Sequence, residues 1–225
     1  MIVYPENWQQ IGIAVSLQKI EDAVVSTLDK IDCDSLSFSG GLDSSLLLYY
    51  LIKLGRKVRT FTVACSISHP DIRYSQMVIH HLEKEFNVDI ERHQKIINNV
   101  NGDNLVQRFY SELTQWTGSI IAGDGIDEFM GGYYEHQESL ACEETYFRLL
   151  RQLQQRHLEP LDKNSGSIRV HLPYLSGAVT KLLWQIPLAE KVDKVHRKKL
   201  MAQLAKGKLP AIIVNRRKYG FGTTP

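Results

Sequence analysis

The chain has 225 residues, 43% of them hydrophobic and 23% charged, with a formal net charge of +2. That length holds one domain with a sizeable core, and the composition is that of a soluble globular protein. The charge gives no bulk argument for nucleic acid; no run reaches the length of a membrane span, and the polar start Tyr4-Pro5-Glu6-Asn7 has no signal-peptide character, so a cytoplasmic location is expected.

Leu17, Ile20, Val24 and Leu28 recur at helical spacing and predict a helix ending near Lys30. A strand, Ser35–Phe38, then runs into Ser39-Gly40-Gly41-Leu42-Asp43-Ser44-Ser45, which opens a helix over Ser44–Leu54 closed by Gly55. A Gly-rich turn between strand and helix aims unpaired N–H groups and the positive helix end at one spot. Such a spot suits phosphate or pyrophosphate. No Gly-Lys-Ser/Thr follows, so this is not the common P-loop. Asp43 stands where that loop carries its lysine, and a carboxylate beside phosphates is favourable if magnesium lies between them. Read alone, the run also fits an ordinary turn with an N-cap.

Val58–Val63 is apolar on both faces, as a parallel sheet requires. Tyr74, Met77, Val78, Leu82 and Phe86 mark the next helix, Val88–Ile90 a short strand, and Leu105, Phe109 and Leu113 a helix through Gln115. Ser119–Ala122 reads as a strand ending in a second turn, Gly123-Asp124-Gly125-Ile126-Asp127-Glu128, followed by Gly131-Gly132-Tyr133. Strands alternating with helices predict a doubly wound α/β unit, whose ligands bind beyond the carboxyl ends of the strands. Asp124, Asp127 and Glu128 would repel one another if buried without compensation, and a cation shared by Asp43 and Asp127 would offset that cost.

Beyond Glu135, Leu140–Leu153, Val179–Ile186 and Val192–Leu204 read as helices without strand alternation. One domain is expected, with an α/β core over 1–134 and a helical subdomain with a C-terminal tail over 135–225. His80 and His81 project about 100° apart on a helix and read as a solvated face. The basic stretch Lys191–Lys208 reads as a solvated helix with one or two phosphate-facing members rather than as a nucleic-acid surface. Cys33, Cys65 and Cys142 fit neither a disulfide framework nor a zinc pattern and read as buried free thiols; Trp8, Trp116 and Trp184 read as packing residues.

The run Ser39–Ser44 is similar to the signature of the PP-loop ATP pyrophosphatases. Together with Gly123–Glu128 and Gly131-Gly132-Tyr133 it resembles the synthetase domain of the asparagine synthetase family. Leu209-Pro210 followed by Arg216-Arg217-Lys218-Tyr219-Gly220-Phe221 is similar to that family's C-terminal segment, and Leu172-Pro173-Tyr174-Leu175 to its Pro-Phe-Leu-Asp stretch. The resemblance runs from about residue 16 to the end. It implies a doubly wound, mostly parallel five-stranded sheet and an AMP-forming carbon–nitrogen ligase that uses ATP and Mg2+. Ser39, Gly40, Gly41, Asp43 and Ser44 would hold pyrophosphate, and Asp43 and Asp127 the metal. Phe38, Val63, Ala122 and Gly123 would contact base and ribose, although Phe38 and Val63 equally suit plain core strand positions. Lys218 would face the α-phosphate, and Asp124 would accept a proton from the amine.

Four departures bear on the substrate. The resemblance does not extend to the glutamine-hydrolysing domain of the complete enzymes, so free ammonia, another amine or a separate amidotransferase subunit is expected. Asp124 stands for the family's glutamate, which shortens the reach by about an ångström. Ser176 stands for an aspartate, and the stretch between His93 and Thr114 is short. The expected function is adenylation of an aspartate-like carboxylate and its transfer to ammonia or another amine. The alternatives are ring or amide formation of the β-lactam synthetase type, or a non-catalytic nucleotide-binding subunit. Small-molecule partners are expected, without nucleic acid or membrane.

Overall fold

A computed structural model describes residues 15–98, 100, 102–139 and 142–216. Helix α1, Leu17–Asp29, starts at Ser16, whose hydroxyl accepts the Lys19 N–H at 3.3 Å, and buries Ile20, Val24 and Leu28 along one stripe. There follow β1 (Ser35–Ser37), α2 (Leu42–Lys53), β2 (Arg59–Ala64), α3 (Pro70–Phe86), β3 (Glu91–Ile96), α4 (Gly102–Leu113) and β4 (Ser119–Ile121). Pro70 opens α3, where its missing N–H costs nothing, and Asn87 ends it in the left-handed region at φ 53°.

The second half contains α5 (Ile126–Met130), α6 (Tyr134–Glu138), α7 (Cys142–Leu153), a π-helical turn (Gln154–Leu158) and α8 (Glu159–Ser165). Strand β5 (Arg169–His171) and a 3-10 turn (Pro173–Leu175) come next. The last helices are α9 (Gly177–Gln185), α10 (Leu188–Lys191), α11 (Lys199–Ala205) and α12 (Ala211–Val214).

The five strands form one sheet in the order β3-β2-β1-β4-β5, and every pairing is parallel. The strand order reverses between β1 and β4, and ligand crevices of doubly wound sheets open at that point. Alternation along β4 separates two cores: Ile121 joins Leu36, Phe38 and the apolar faces of α1, α2, α9 and α11, whereas Ile120 joins Phe61, Val63 and α4.

The structure corrects the sequence reading in several places. The strand expected at Val88–Ile90 lies one step later, at Glu91–Ile96; this edge strand pairs only with β2 and is polar and largely exposed, so it carries no apolar alternation. The stretch after Glu135 supplies β5, too short to show a period and with Val170 as its lone apolar member. The helix expected over Val192–Leu204 is broken. Asp193 accepts the backbone N–H groups of Val195 (2.8 Å) and His196 (2.7 Å), Val195 is 74% exposed, and Lys198 adopts φ 50° before α11 begins.

Lys191 and Lys198 are buried, so the basic stretch is not a solvated helix. Trp116 and Trp184 are more than half exposed, Cys33 alone of the cysteines is fully buried, and Trp8 lies outside the described residues. Among the described residues no helix is long and apolar enough to cross a membrane.

Candidate active site

The turn after β1 is built around a backbone contact. Gly40 has φ +66°, and a Cβ there would sit 2.3 Å from the Ser75 nitrogen, so only glycine lets the loop lie against α3. Ser39 Oγ accepts the Gly41 N–H at 3.2 Å and lies 3.3 Å from Ser44 Oγ, which donates to the Gly41 carbonyl at 3.3 Å. Gly41 caps α2 without a side chain, so it offers nothing to the first-turn N–H groups that an anion could take. Arg216 fastens the outer side: Nη1 donates to the Ser39 carbonyl at 3.1 Å, Nη2 pairs with the buried Asp71, and the guanidinium lies 4.5 Å over Tyr74.

The turn after β4 arrives beside it. Gly123 comes within ordinary contact of Asp43 Cβ, at 3.5 Å from its own notional Cβ. Gly125 turns the chain at φ +84° into α5, whose first turn carries Asp127 and Glu128. From below, the fully buried Tyr174 donates its hydroxyl to the Asp43 carbonyl at 3.0 Å, and its neighbour Leu175 packs against Gly125. The stretch Leu172–Leu175 thus supports both turns.

The three acidic groups of the second turn go to separate partners, which relieves their mutual repulsion. Asp127 Oδ1 lies 2.7 Å from Lys198 Nζ, and the same ammonium pairs with Asp43. Asp124 Oδ1 lies 2.8 Å from His157 Nε2. Glu128 Oε1 accepts the Tyr133 hydroxyl at 2.7 Å, and burial, reinforced by Glu128, pushes that hydroxyl far above its ordinary value, so it stays a neutral donor. In this structure the Lys198 ammonium lies between Asp43 and Asp127 and offsets their charge.

Lys198 reaches this point because its backbone is left-handed and because Gly132 leaves room for it. A Cβ on Gly132 would stand 1.9 Å from Asp127 Oδ1 and 2.4 Å from Lys198 Cε. The Gly132 carbonyl also accepts Arg197 Nη1 at 2.6 Å, and the Arg197 guanidinium lies 3.6 Å over the Tyr134 ring.

The donor set fits a hard divalent cation. Asp43 and Asp127 carry oxygen ligands from two strand ends to one small ammonium-sized space. Among the described residues no group of three or more His, Cys, Asp or Glu is arranged to hold a metal alone. Asp43 and Asp127 would be the chain's ligands to such an ion, which would supply charge neutralisation beside them.

Of the other expected residues, Phe38 and Val63 are buried on opposite cores at the strand ends, and Ala122 lies buried before Gly123. Lys218 lies outside the described residues. Ser176 is not aimed into open space: its hydroxyl caps α9 by accepting the Val179 N–H at 3.4 Å and lies 3.0 Å from Thr27 Oγ1.

Lys198 and His157 escaped the sequence reading. Lys198 sits in a run of cations with nothing to single it out, and its left-handed backbone is not readable from residue type. His157 is delivered by the π-helical turn, a rare element with no sequence signature but frequent at functional sites. Arg216 stood inside a recognised tail motif, but its contact with Ser39 did not follow from the motif. Beside the acidic turn, Glu128, Tyr133, Tyr134, Leu149, Gln152 and His157 line most of a cleft of about 410 Å3.

The profile of the family described as asparagine synthase matches the chain over two overlapping stretches, residues 17–165 and 143–225. No curated protein matches the sequence at a significant level.

Proposed function

The chain belongs to the asparagine synthase family, and on that ground we propose that it is an ATP-dependent ligase that forms an amide through an acyl-adenylate. The observation that carries this proposal is the meeting of Asp43 and Asp127 from β1 and β4 at the point where the strand order reverses.

A substrate carboxylate oxygen attacks the α-phosphorus of ATP; the bond to the β-phosphate oxygen breaks and pyrophosphate leaves. The Ser39–Ser44 loop and the amino end of α2 bind the leaving pyrophosphate. Asp43 and Asp127 would hold Mg2+, which supplies charge neutralisation on the phosphate oxygens. Ala122 and Gly123 border the space for nucleoside, with Phe38 and Val63 beneath. Lys218 is assigned to the α-phosphate by resemblance to the family. An amine nitrogen then attacks the acyl carbon, AMP leaves, and the nitrogen's proton passes to Asp124, paired with His157. The amine arrives free or from a separate amidotransferase subunit.

Ser176 is engaged in capping α9 and in its contact with Thr27. This favours a carboxylate other than aspartate and keeps a specialised amide- or ring-forming synthetase as the second reading.

The test is carboxylate-dependent exchange of labelled pyrophosphate into ATP, with AMP release on adding an amine. Asp43→Asn should abolish both while the protein stays folded. Exchange that persists in Asp43→Asn overturns the assignment. ATP binding without exchange on any carboxylate would make the chain a nucleotide-binding subunit instead.

A further inference from the structure

The first turns of α3 hold two parts of the chain that are far apart in sequence. On one side the Gly40 backbone rests against the backbone of Tyr74 and Ser75. On the other, Arg216 reaches in from just beyond α12. Its Nη2 pairs with Asp71 in the first turn of α3, and its guanidinium lies 4.5 Å over the Tyr74 ring. The same guanidinium closes the triangle, since Nη1 donates to the Ser39 carbonyl at 3.1 Å, 177 positions away in the chain.

This clamp is stiff for physical reasons. The Arg216 and Asp71 side chains are 5% and 8% exposed, and a buried pair is costly to break from one side because the other charge is left uncompensated. Asp71 carries its charge at the amino end of a 17-residue helix, where the dipole favours it. Its backbone is fixed as well, because its N–H donates to Nδ1 of the buried His69 at 3.3 Å. A planar guanidinium with a rigid fork of donors meets carboxylate, carbonyl and ring at once, and an ammonium lacks that fork.

Ser39 belongs to the turn assigned to pyrophosphate, and its Oγ shapes that turn through Gly41 and Ser44. Arg216 is the last described residue, and the chain runs on from it to Lys218. Two residues span at most about 7 Å. Fixing Arg216 on the Ser39 carbonyl therefore limits how far the Lys218 backbone can lie from the phosphate turn. A tail without that anchor would pay an ordering entropy on binding that the anchor removes.

We propose that Asp71 and Arg216 are positioning residues: together they tie the root of the C-terminal tail to the Ser39–Ser44 turn, so that Lys218 and the turn meet the nucleotide as one unit. The clamp's place in the reaction rests on the ligase reading, whereas the clamp itself requires only that the chain bind a nucleotide.

The test is a double-mutant cycle on Mg-ATP affinity, measured by calorimetry on the full chain as wild type, Arg216→Lys, Lys218→Ala and the two combined. Arg216→Lys keeps the charge beside Asp71 and loses the fork. It should weaken Mg-ATP about tenfold where Lys218 is present and less than about twofold in Lys218→Ala, because its effect passes through Lys218. Equal weakening in both backgrounds would make Arg216 a support of the fold alone and overturn the proposal. Unchanged affinity in Arg216→Lys overturns it too. If Arg216→Lys unfolds, Asp71→Glu, which moves the carboxylate by about an ångström, takes its place in the cycle with the same two outcomes. Pyrophosphate exchange on the same proteins separates the clamp from the ligase reading. The expected coupling without exchange on any carboxylate would sink the ligase reading and leave the clamp standing.

Discussion

Lys198 Nζ lies 2.7 Å from Asp127 Oδ1 and also pairs with Asp43, so one ammonium ties the turn after β4 to the turn after β1. Lys198 and Asp43 are 155 positions apart in the chain. All three side chains are largely buried, so the lysine stands where a divalent cation would neutralise the same carboxylates.

Removing that lysine should expose a dependence on metal. Lys198→Met leaves two carboxylates facing each other and should lower stability by about 3–5 kcal/mol in EDTA. Millimolar Mg2+ should restore part of the loss in the variant and change the wild type less. Melting curves with and without the metal read this, and an equal deficit under both conditions would show that lysine and cation do not share the place.

Gly132 should tolerate no side chain. Its notional Cβ falls 1.9 Å from Asp127 Oδ1, whereas Gly118 has nothing within 4 Å. Gly132→Ala should cost about 1–3 kcal/mol and weaken Mg-ATP binding by displacing Asp127. Gly118→Ala, the control, should leave binding unchanged; equal binding in both variants would contradict the geometry.

Lys191 sets a pH dependence of stability. The residue is 2% exposed, its ammonium donates to the Tyr146 hydroxyl at 2.8 Å, and burial lowers its pKa from 10.5 to about 8. The folded value lies below the unfolded one, so the unfolded chain binds more protons between them. The lysine therefore costs stability in full below pH 8, and this cost, about 3 kcal/mol, fades as pH rises to 10.5. Lys191→Met should melt above the wild type at neutral pH, with the gap closing over that window. The Tyr146 hydroxyl keeps its bond to the Phe129 carbonyl at 3.0 Å in the variant. A gap independent of pH would mean that Lys191 is not held against its charge.

The Asp124–His157 pair divides the two half-reactions. His157→Gln should leave pyrophosphate exchange near wild type and slow amide formation about 100-fold, because only the second step moves a proton off the amine. Adding Asp124→Glu, whose longer carboxylate reaches further alone, should recover part of the rate. Exchange that falls in parallel with amide formation would assign the pair to positioning ATP.

How much was legible follows from what each feature depends on. Helices α1, α3 and α4 announced themselves by apolar stripes, α2 by its apolar run after the Gly-rich turn. Edge strands β3 and β5 were misplaced or unseen, since a polar, largely exposed strand or one only three residues long writes no apolar alternation.

From sequence alone came the α/β alternation, the two Gly-rich turns at strand ends and the expectation that Asp43 and Asp127 meet. Which partner each acid meets was decided only in three dimensions. The parallel order β1-β4 sets the two turns side by side, a π-helical turn brings His157 to Asp124, and a left-handed residue turns Lys198 inward. Those contacts join residues far apart in the chain, and no local periodicity or propensity encodes a partner that packing alone brings within reach.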